Sequence, residues 1–260
     1  MSSPSAPQQP VAQASGSSYV IQGREVRLPV EVRDATAAVA YYLVPTAAAQ
    51  RLLAPAGLRI AQVLPGRTLC SIGAIEYKDC DLGTYYEIAV TFVVREPGER
   101  TLPYVGTVLG LLRGSLGAYI HQLPVNGSFT CEAGNTIWGF PKIVTEIELS
   151  TNDGVRTAVL RADGQHVLSH SVPVGGTRSF HERTQVSYAY RDGILYKTPS
   201  VMSGEGVGMR RGGADLELGT HPIADELRTL GLPKRAIFST FISKMTGLFY
   251  AAEQLNTGER

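Results

Sequence analysis

The sequence predicts a mainly β fold, β-rich α+β, with antiparallel strands closed into a barrel or a pair of curved sheets around a pocket. Three observations lead there. About a dozen runs alternate apolar with polar residues or concentrate Val, Ile, Tyr and Phe. Short turns rich in Gly, Asn and Asp separate those runs. Only two or three helical stretches interrupt them, with no βαβ rhythm and no repeat of fixed period.

The elements follow in order. Residues 25–34 alternate as a half-buried strand (Val26, Leu28, Val30, Val32), and 39–44 continue as a second. Residues 47–54 form an alanine-rich helix capped by Thr46 and stopped by Pro55 and Gly57. The runs 59–64, 69–78 and 85–95 are strands of a meander, with turns at Pro65-Gly66 and 79–83. After the Gly-rich apolar segment, 117–124 reads as a strand and 128–138 as a helix. Phe140 precedes proline and is pushed out of the helical region, so that helix ends by Gly139 and Lys142 follows on an extended segment. Residues 143–150, 156–162, 166–174 and 185–190 alternate as strands between Asp-Gly and Gly-Gly turns. A further strand is expected over 206–218, with a bulge at Gly212-Gly213, then a helix over 222–230 started by Pro222 and ended by Gly231; 236–250 is mixed.

Composition bounds the function. The 260 residues are 43% hydrophobic and 18% charged, with a net charge of +1 and no basic block, so nothing recommends a nucleic-acid or membrane-surface partner. Small-molecule chemistry is the default. Cys70, Cys80 and Cys131 form no CxxC pair and cannot all be bridged, which fits a reducing compartment, here the cytoplasm. Residues 1–18 carry no charge and no apolar run, and read as a disordered tail ahead of a single domain over 19–260. The apolar stretch 104–120 is short for a membrane span and is broken by Arg113 and several glycines.

Familiar catalytic signatures are absent. Gly204-Glu205-Gly206-Val207-Gly208-Met209 departs from GxGxxG at Met209 and follows no βα unit, which makes it a glycine-rich turn. Around Ser115, the arginine at position 113 breaks GxSxG. His166 and His170 are four apart in a strand pattern with no neighbouring carboxylate, so neither a metal nor a cofactor is expected.

Two residues stand out. Lys142 lies among Trp138, Phe140, Pro141 and Ile143 with no acidic residue close before it. An ammonium in apolar surroundings is costly: such a lysine either reaches water with its head or gives up its proton and becomes a nucleophile. The plainer reading is a surface lysine ending a helix-to-strand turn. Glu87 shares one strand face with Ala89, Thr91 and Val93, opposite Ile88, Val90, Phe92 and Val94. Should the first face line a barrel, Glu87 is a pocket carboxylate suited to proton transfer; otherwise it points to water.

The segment Gly134-Asn135-Thr136-Ile137-Trp138-Gly139-Phe140-Pro141-Lys142 resembles the Schiff-base segment of the acetoacetate decarboxylase family, and Leu82-Gly83-Thr84-Tyr85-Tyr86-Glu87 is similar to that family's Leu-Gly-x-Tyr-x-Glu segment. More weakly, the likeness runs from about Gly23 to Leu255. It implies a curved double-sheet, cone-like barrel that assembles as a homo-oligomer, Lys142 as the Schiff-base lysine and Glu87 as its acidic partner. Tyr85, Trp138 and Phe140 become further substrate-contacting candidates, with Tyr86, His121, Gln122 and Tyr250 as other pocket candidates.

The implied reaction is decarboxylation of acetoacetate or a related β-keto acid through an iminium and enamine. Three departures accompany it. Ile143 stands where the decarboxylase carries a second lysine, leaving burial by Trp138, Phe140 and Ile143 to set the chemistry of Lys142. The arginine expected toward the substrate carboxylate is matched by Arg24, with Arg33 its rival. A second pocket glutamate is replaced by Ile72, with Glu76 the nearest acid on the same face. Two alternatives stay open: aldol-dehydration of pyruvate-like oxo acids on the same lysine, and a non-catalytic barrel that binds a small apolar ligand.

Overall fold

The computed structural model describes residues 17–95, 104, 106, 107, 110 and 116–255. The tail expected over 1–18 therefore lies mostly outside the described residues, as does part of the apolar stretch 104–120, Ser115 included.

A small hairpin, β1 (Ser18–Ile21) and β2 (Arg24–Arg27), precedes the long strand β3 (Val30–Pro45). Helix α1 (Thr46–Leu52) and two short strands, β4 (Arg59–Ile60) and β5 (Gln62–Leu64), lead to β6 (Arg67–Cys80), β7 (Tyr85–Arg95) and β8 (Gly117–Val125). Helix α2 (Ser128–Trp138) and the edge strand β9 (Lys142–Val144) follow. The meander β10 (Glu146–Asn152), β11 (Val155–Ala162) and β12 (Gln165–Pro173) precedes β13 (Arg178–Arg191) and β14 (Ile194–Arg211). The chain ends in β15 (Asp215–Leu218), helix α3 (Pro222–Thr229), β16 (Phe238–Phe249) and β17 (Glu253–Leu255).

Seven strands close a barrel in the order β7-β6-β3-β16-β14-β13-β8, with β8 returning to β7. Six of those contacts are antiparallel, as the sequence predicts. The exception is β8 against β13, which run parallel and pair only Ala118 with Ser187 and Tyr119 with Tyr188. That seam is tight: a Cβ on Gly117 would lie 2.5 Å from the Tyr188 ring. A second, four-stranded sheet, β10-β11-β12-β15, covers one side of the barrel.

The barrel wall is consequently buried on both faces. Outward residues of β3, β6 and β7 (Ala38, Ala40, Tyr42; Cys70, Ile72; Ile88, Val90, Phe92) form one core with Leu160, Leu168 and Val172 of the outer sheet and Leu227 of α3. Inward residues form a second core that seats Ala133, Ile137 and Trp138 of α2. Such strands lack a solvent face, and their alternation separates two interiors instead of core from water.

Several expectations need correction. Residues 25–34 break between β2 and β3 at Leu28-Pro29. Thr46 opens α1 without capping it: its hydroxyl is buried with no partner and no side chain caps that helix. The strand expected over 206–218 is two strands in different sheets, because Gly212 and Gly213 both adopt positive φ (65° and 75°) and redirect the chain. The first half of β14 carries no clear alternation in sequence, and the mixed 236–250 stretch is the full-length strand β16. Helix α3 is capped by the His221 ring, whose Nδ1 accepts from Ile223 N–H at 3.2 Å. No helix among the described residues is long and apolar enough to cross a membrane.

His170 of β12 is fully enclosed between the two layers; its Nε2 is 3.4 Å from the Ala38 carbonyl and its Nδ1 has no partner. Burial pushes its pKa down to about 4. The unfolded chain takes up this proton below about pH 6.5 while the folded chain stays neutral to about 4, so acidification favours unfolding across that window. Urea unfolding is expected to show a loss of about 2 kcal/mol between pH 7 and pH 5 that His170→Leu removes. An identical pH profile in the variant would contradict this assignment.

Candidate active site

The site is built where the C-terminus of α2 meets the start of β7. Helix α2 turns Thr130, Ala133, Gly134 and Ile137 inward on one stripe. It ends at Gly139, whose positive φ of 62° lets its N–H, together with that of Phe140, close on the Gly134 carbonyl. Lys142 then begins β9, and its backbone is gripped by the Asn135 side chain: Oδ1 accepts from Lys142 N–H at 3.0 Å and Nδ2 donates to the Lys142 carbonyl at 3.2 Å. Both Phe140 and Trp138 are buried and stacked at 5.6 Å, with Trp138 Nε1 donating to the Tyr250 carbonyl at 2.8 Å.

The Lys142 side chain runs past Gly134 into the barrel. A Cβ on that glycine would lie 2.5 Å from Cδ and 2.7 Å from Cε of the lysine. A mid-helix glycine costs about 1 kcal/mol against alanine, and here it clears the lysine's path. The side chain, 3% exposed, ends with Nζ 2.9 Å from Glu87 Oε2, 3.3 Å from the Thr130 hydroxyl and 4.9 Å from the centre of the Tyr85 ring.

Glu87, on β7, is held from its other side: the Tyr77 hydroxyl donates to Oε1 at 3.3 Å. Tyr77 faces Tyr85 across the β6–β7 pairing, and the two rings stack at 4.3 Å. Burial pushes both phenols well above their usual pKa, and the nearby carboxylate pushes Tyr77 further, so both remain protonated donors. Cys80, also lining this end, is pushed up by burial. The cavity that opens from here has a volume of about 480 Å³. The charged side chains among its described lining are Glu87, Lys142 and Arg183, the last on the exposed part of β13.

A lysine amine held against a carboxylate inside a closed, largely apolar barrel is equipped to attack a carbonyl and to have protons moved for it. The acetoacetate decarboxylase family model matches residues 9–252. The chain belongs to the acetoacetate decarboxylase family. No curated protein sequence matches it. Among solved structures it resembles the acetoacetate decarboxylase of Legionella pneumophila (TM-score 0.62, 15% identity, covering 96% of this chain and 91% of that one). It also resembles the enduracididine biosynthesis enzyme MppR complexed with pyruvate (0.58, 15%, 87% and 90%). A third is an acetoacetate decarboxylase-like enzyme of Sphingomonas wittichii RW1 (0.56, 16%, 93% and 100%). At these identities the likeness is one of fold.

Not every sequence candidate reaches the cavity. Lys142, Glu87, Tyr85, Trp138 and Phe140 line it. Arg24 does not: it sits on β2, donates to the Asp81 carbonyl at 2.6 Å and lies over the Phe129 ring. Arg33 is also outside, bound to Asp79 and Asp81. Glu76 points outward, because Ile75 and Tyr77 on either side face inward, and it pairs with Arg156 of β11. Ile72 shares that outward face and is part of the outer core. Tyr86 packs against the same core, while His121 and Gln122 both bind Glu226 of α3, at 2.7 and 3.0 Å. Ile143 gives Lys142 no cover, being 41% exposed.

Thr130 and Tyr77 carry no signal in the sequence, and Gly134 and Asn135 enter there only as members of the 134–142 segment. Thr130 and Gly134 are four apart on one helix face, and Asn135 lies seven before the lysine, a spacing whose meaning depends on the Gly139 reversal. Gly134→Ala tests the lysine's path. The helix is expected to hold or gain stability while the added methyl displaces Lys142, slowing its reaction with a keto acid roughly 100-fold. Unchanged borohydride trapping of Lys142 in that variant would show that the lysine does not need this path.

Proposed function

We propose that the chain is a Schiff-base-forming lyase that decarboxylates a β-keto acid. The observation carrying this reading is the 2.9 Å contact between Lys142 Nζ and Glu87 Oε2 inside the cavity. Passage of one proton from the ammonium to Glu87 leaves an amine beside a carboxylic acid. The amine adds to the keto carbon of the substrate and passes one of its protons to the oxygen, and the acid returns its own proton to that oxygen, which leaves as water. The resulting iminium draws in the electron pair of the bond between the α-carbon and the carboxylate carbon, giving an enamine and CO₂. Protonation of the enamine carbon, with Glu87 as the local proton source, and hydrolysis then release a ketone and free Lys142.

The surroundings favour this outcome over aldol-dehydration. The interior near Lys142 is walled by Ile75, Leu123, Phe140 and Phe249, and the other cation of the described lining, Arg183, lies on an exposed stretch. A carboxylate there meets little that stabilises its charge, and loss of CO₂ removes that charge. Water exclusion also protects the enamine until it is protonated.

Incubation with acetoacetate and borohydride is expected to leave a reduced adduct on the Lys142 peptide, with CO₂ evolved when borohydride is omitted. An unmodified lysine sinks the reading; an adduct without CO₂ transfers it to aldol-dehydration. Lys142→Arg, whose guanidinium stays protonated, should fold and be inactive, and Glu87→Gln should lower turnover roughly 10²–10⁴-fold.

A further inference from the structure

We infer that the substrate carries an extended apolar substituent on its keto carbon, larger than the methyl of acetoacetate. The inference rests on the Schiff-base decarboxylase reading and concerns the part of the cavity that reading leaves unused.

Two paired strands set the interior width. From the reacting end, the inward column of β7 runs Glu87, Ala89, Thr91, and its partners on β6 run Ile75, Gly73, Ser71. Side chains are smallest at the middle level, where Ala89 stands opposite Gly73. Gly73 pairs with Val39 of β3 on its other side, and a Cβ there would lie 3.3 Å from Val39 Cγ2, so the missing side chain leaves Val39 room at this level and the wall there is apolar. At about 3.3 Å per residue, Thr91 lies about 13 Å along the strand from Glu87. The apolar lane ends where the hydroxyls of Ser71 and Thr91 meet at 2.6 Å.

The cavity volume, about 480 Å³, lies within the roughly 300–1,000 Å³ of pockets that enclose drug-sized ligands. A four-carbon acid would leave most of it empty. A substrate joined to Lys142 has two arms at the reacting carbon. One is a single methylene bearing the carboxylate, which is lost as CO₂. Only the other can extend along the lane, where an alkyl or aryl chain buries against Ala89, Val39 and Ile75 with no polar group of its own left unpaired. The bonds made and broken are those already described, and the product is a methyl ketone with a long second substituent.

The test is kcat/KM for linear 3-oxo acids from 3-oxobutanoate to 3-oxodecanoate, each also trapped on Lys142 with borohydride. The value is expected to rise about fourfold per added methylene, mainly through KM, until the lane is filled. Ala89→Leu, which narrows the lane, should lower the long-to-short ratio at least tenfold while acetoacetate still forms its adduct. A flat or falling series in the unaltered protein, with the acetoacetate adduct present, overturns the inference and leaves the Schiff-base reading standing. Absence of an adduct with every acid removes that reading and the inference with it. Should the leucine variant fail to fold, the series in the unaltered protein decides alone.

Discussion

The buried pairing of Lys142 with Glu87 is the constraint on which the rest of the site depends. Two charges taken out of water are held at a cost that only close geometry and further hydrogen bonds offset, and removing one partner strands the other. The fold supplies those bonds in layers. Thr130 and the Tyr85 ring face the lysine, the Tyr77 hydroxyl supports the carboxylate, and the Asn135 amide fixes the backbone from which the lysine departs. They come from three segments, so the pair forms only when helix α2, β6 and β7 are all in place. That requirement suits a closed barrel: a sheet with an open face would leave the pair wet.

Much of this was legible before the structure. Helix α2 could be bounded because Phe140 precedes proline and Gly139 can take a positive φ, and Lys142 drew notice because its neighbours are apolar. Glu87 was less legible. Pattern alone sends a charged residue in an alternating strand toward water, and that inference fails in a wall buried on both faces, where Ile88, Val90 and Phe92 pack outward against the second sheet while Glu87, Ala89 and Thr91 face the cavity. Its place on the cavity wall was implied by the likeness of 82–87 to a known segment rather than by the strand pattern. The same two-sidedness misled the reading of Glu76: its strand parity is that of Ile72, and both belong to the outer core's face. The arginines failed for another reason. Arg24 and Arg33 satisfy acceptors contributed by 79–81, a contact between hairpins distant in sequence.

Departure from the second lysine at position 143 has a plain structural setting. The side chain there alternates outward from Lys142 on β9 and is 41% exposed. Cover for Lys142 comes instead from Tyr85, Trp138 and Phe140, two of them supplied by the turn that ends α2. The lysine's environment is thus set by burial and by Glu87 rather than by a neighbouring cation.

The seam between β8 and β13 divides the ring in a way that its residue order makes plain. On one side stand β3, β6, β7 and β8, all from before residue 126; on the other stand β13, β14 and β16, all from after residue 177. These two halves meet twice, along the long β3–β16 ladder and through the two paired residues of the seam. Among the described residues, the second junction has far fewer hydrogen bonds to break, and local opening follows the least-bonded boundary. Among the described residues the barrel is therefore bound like a book, with β3–β16 as its spine and its least-bonded edge beside the exposed Arg183–Gln185 stretch of the cavity rim.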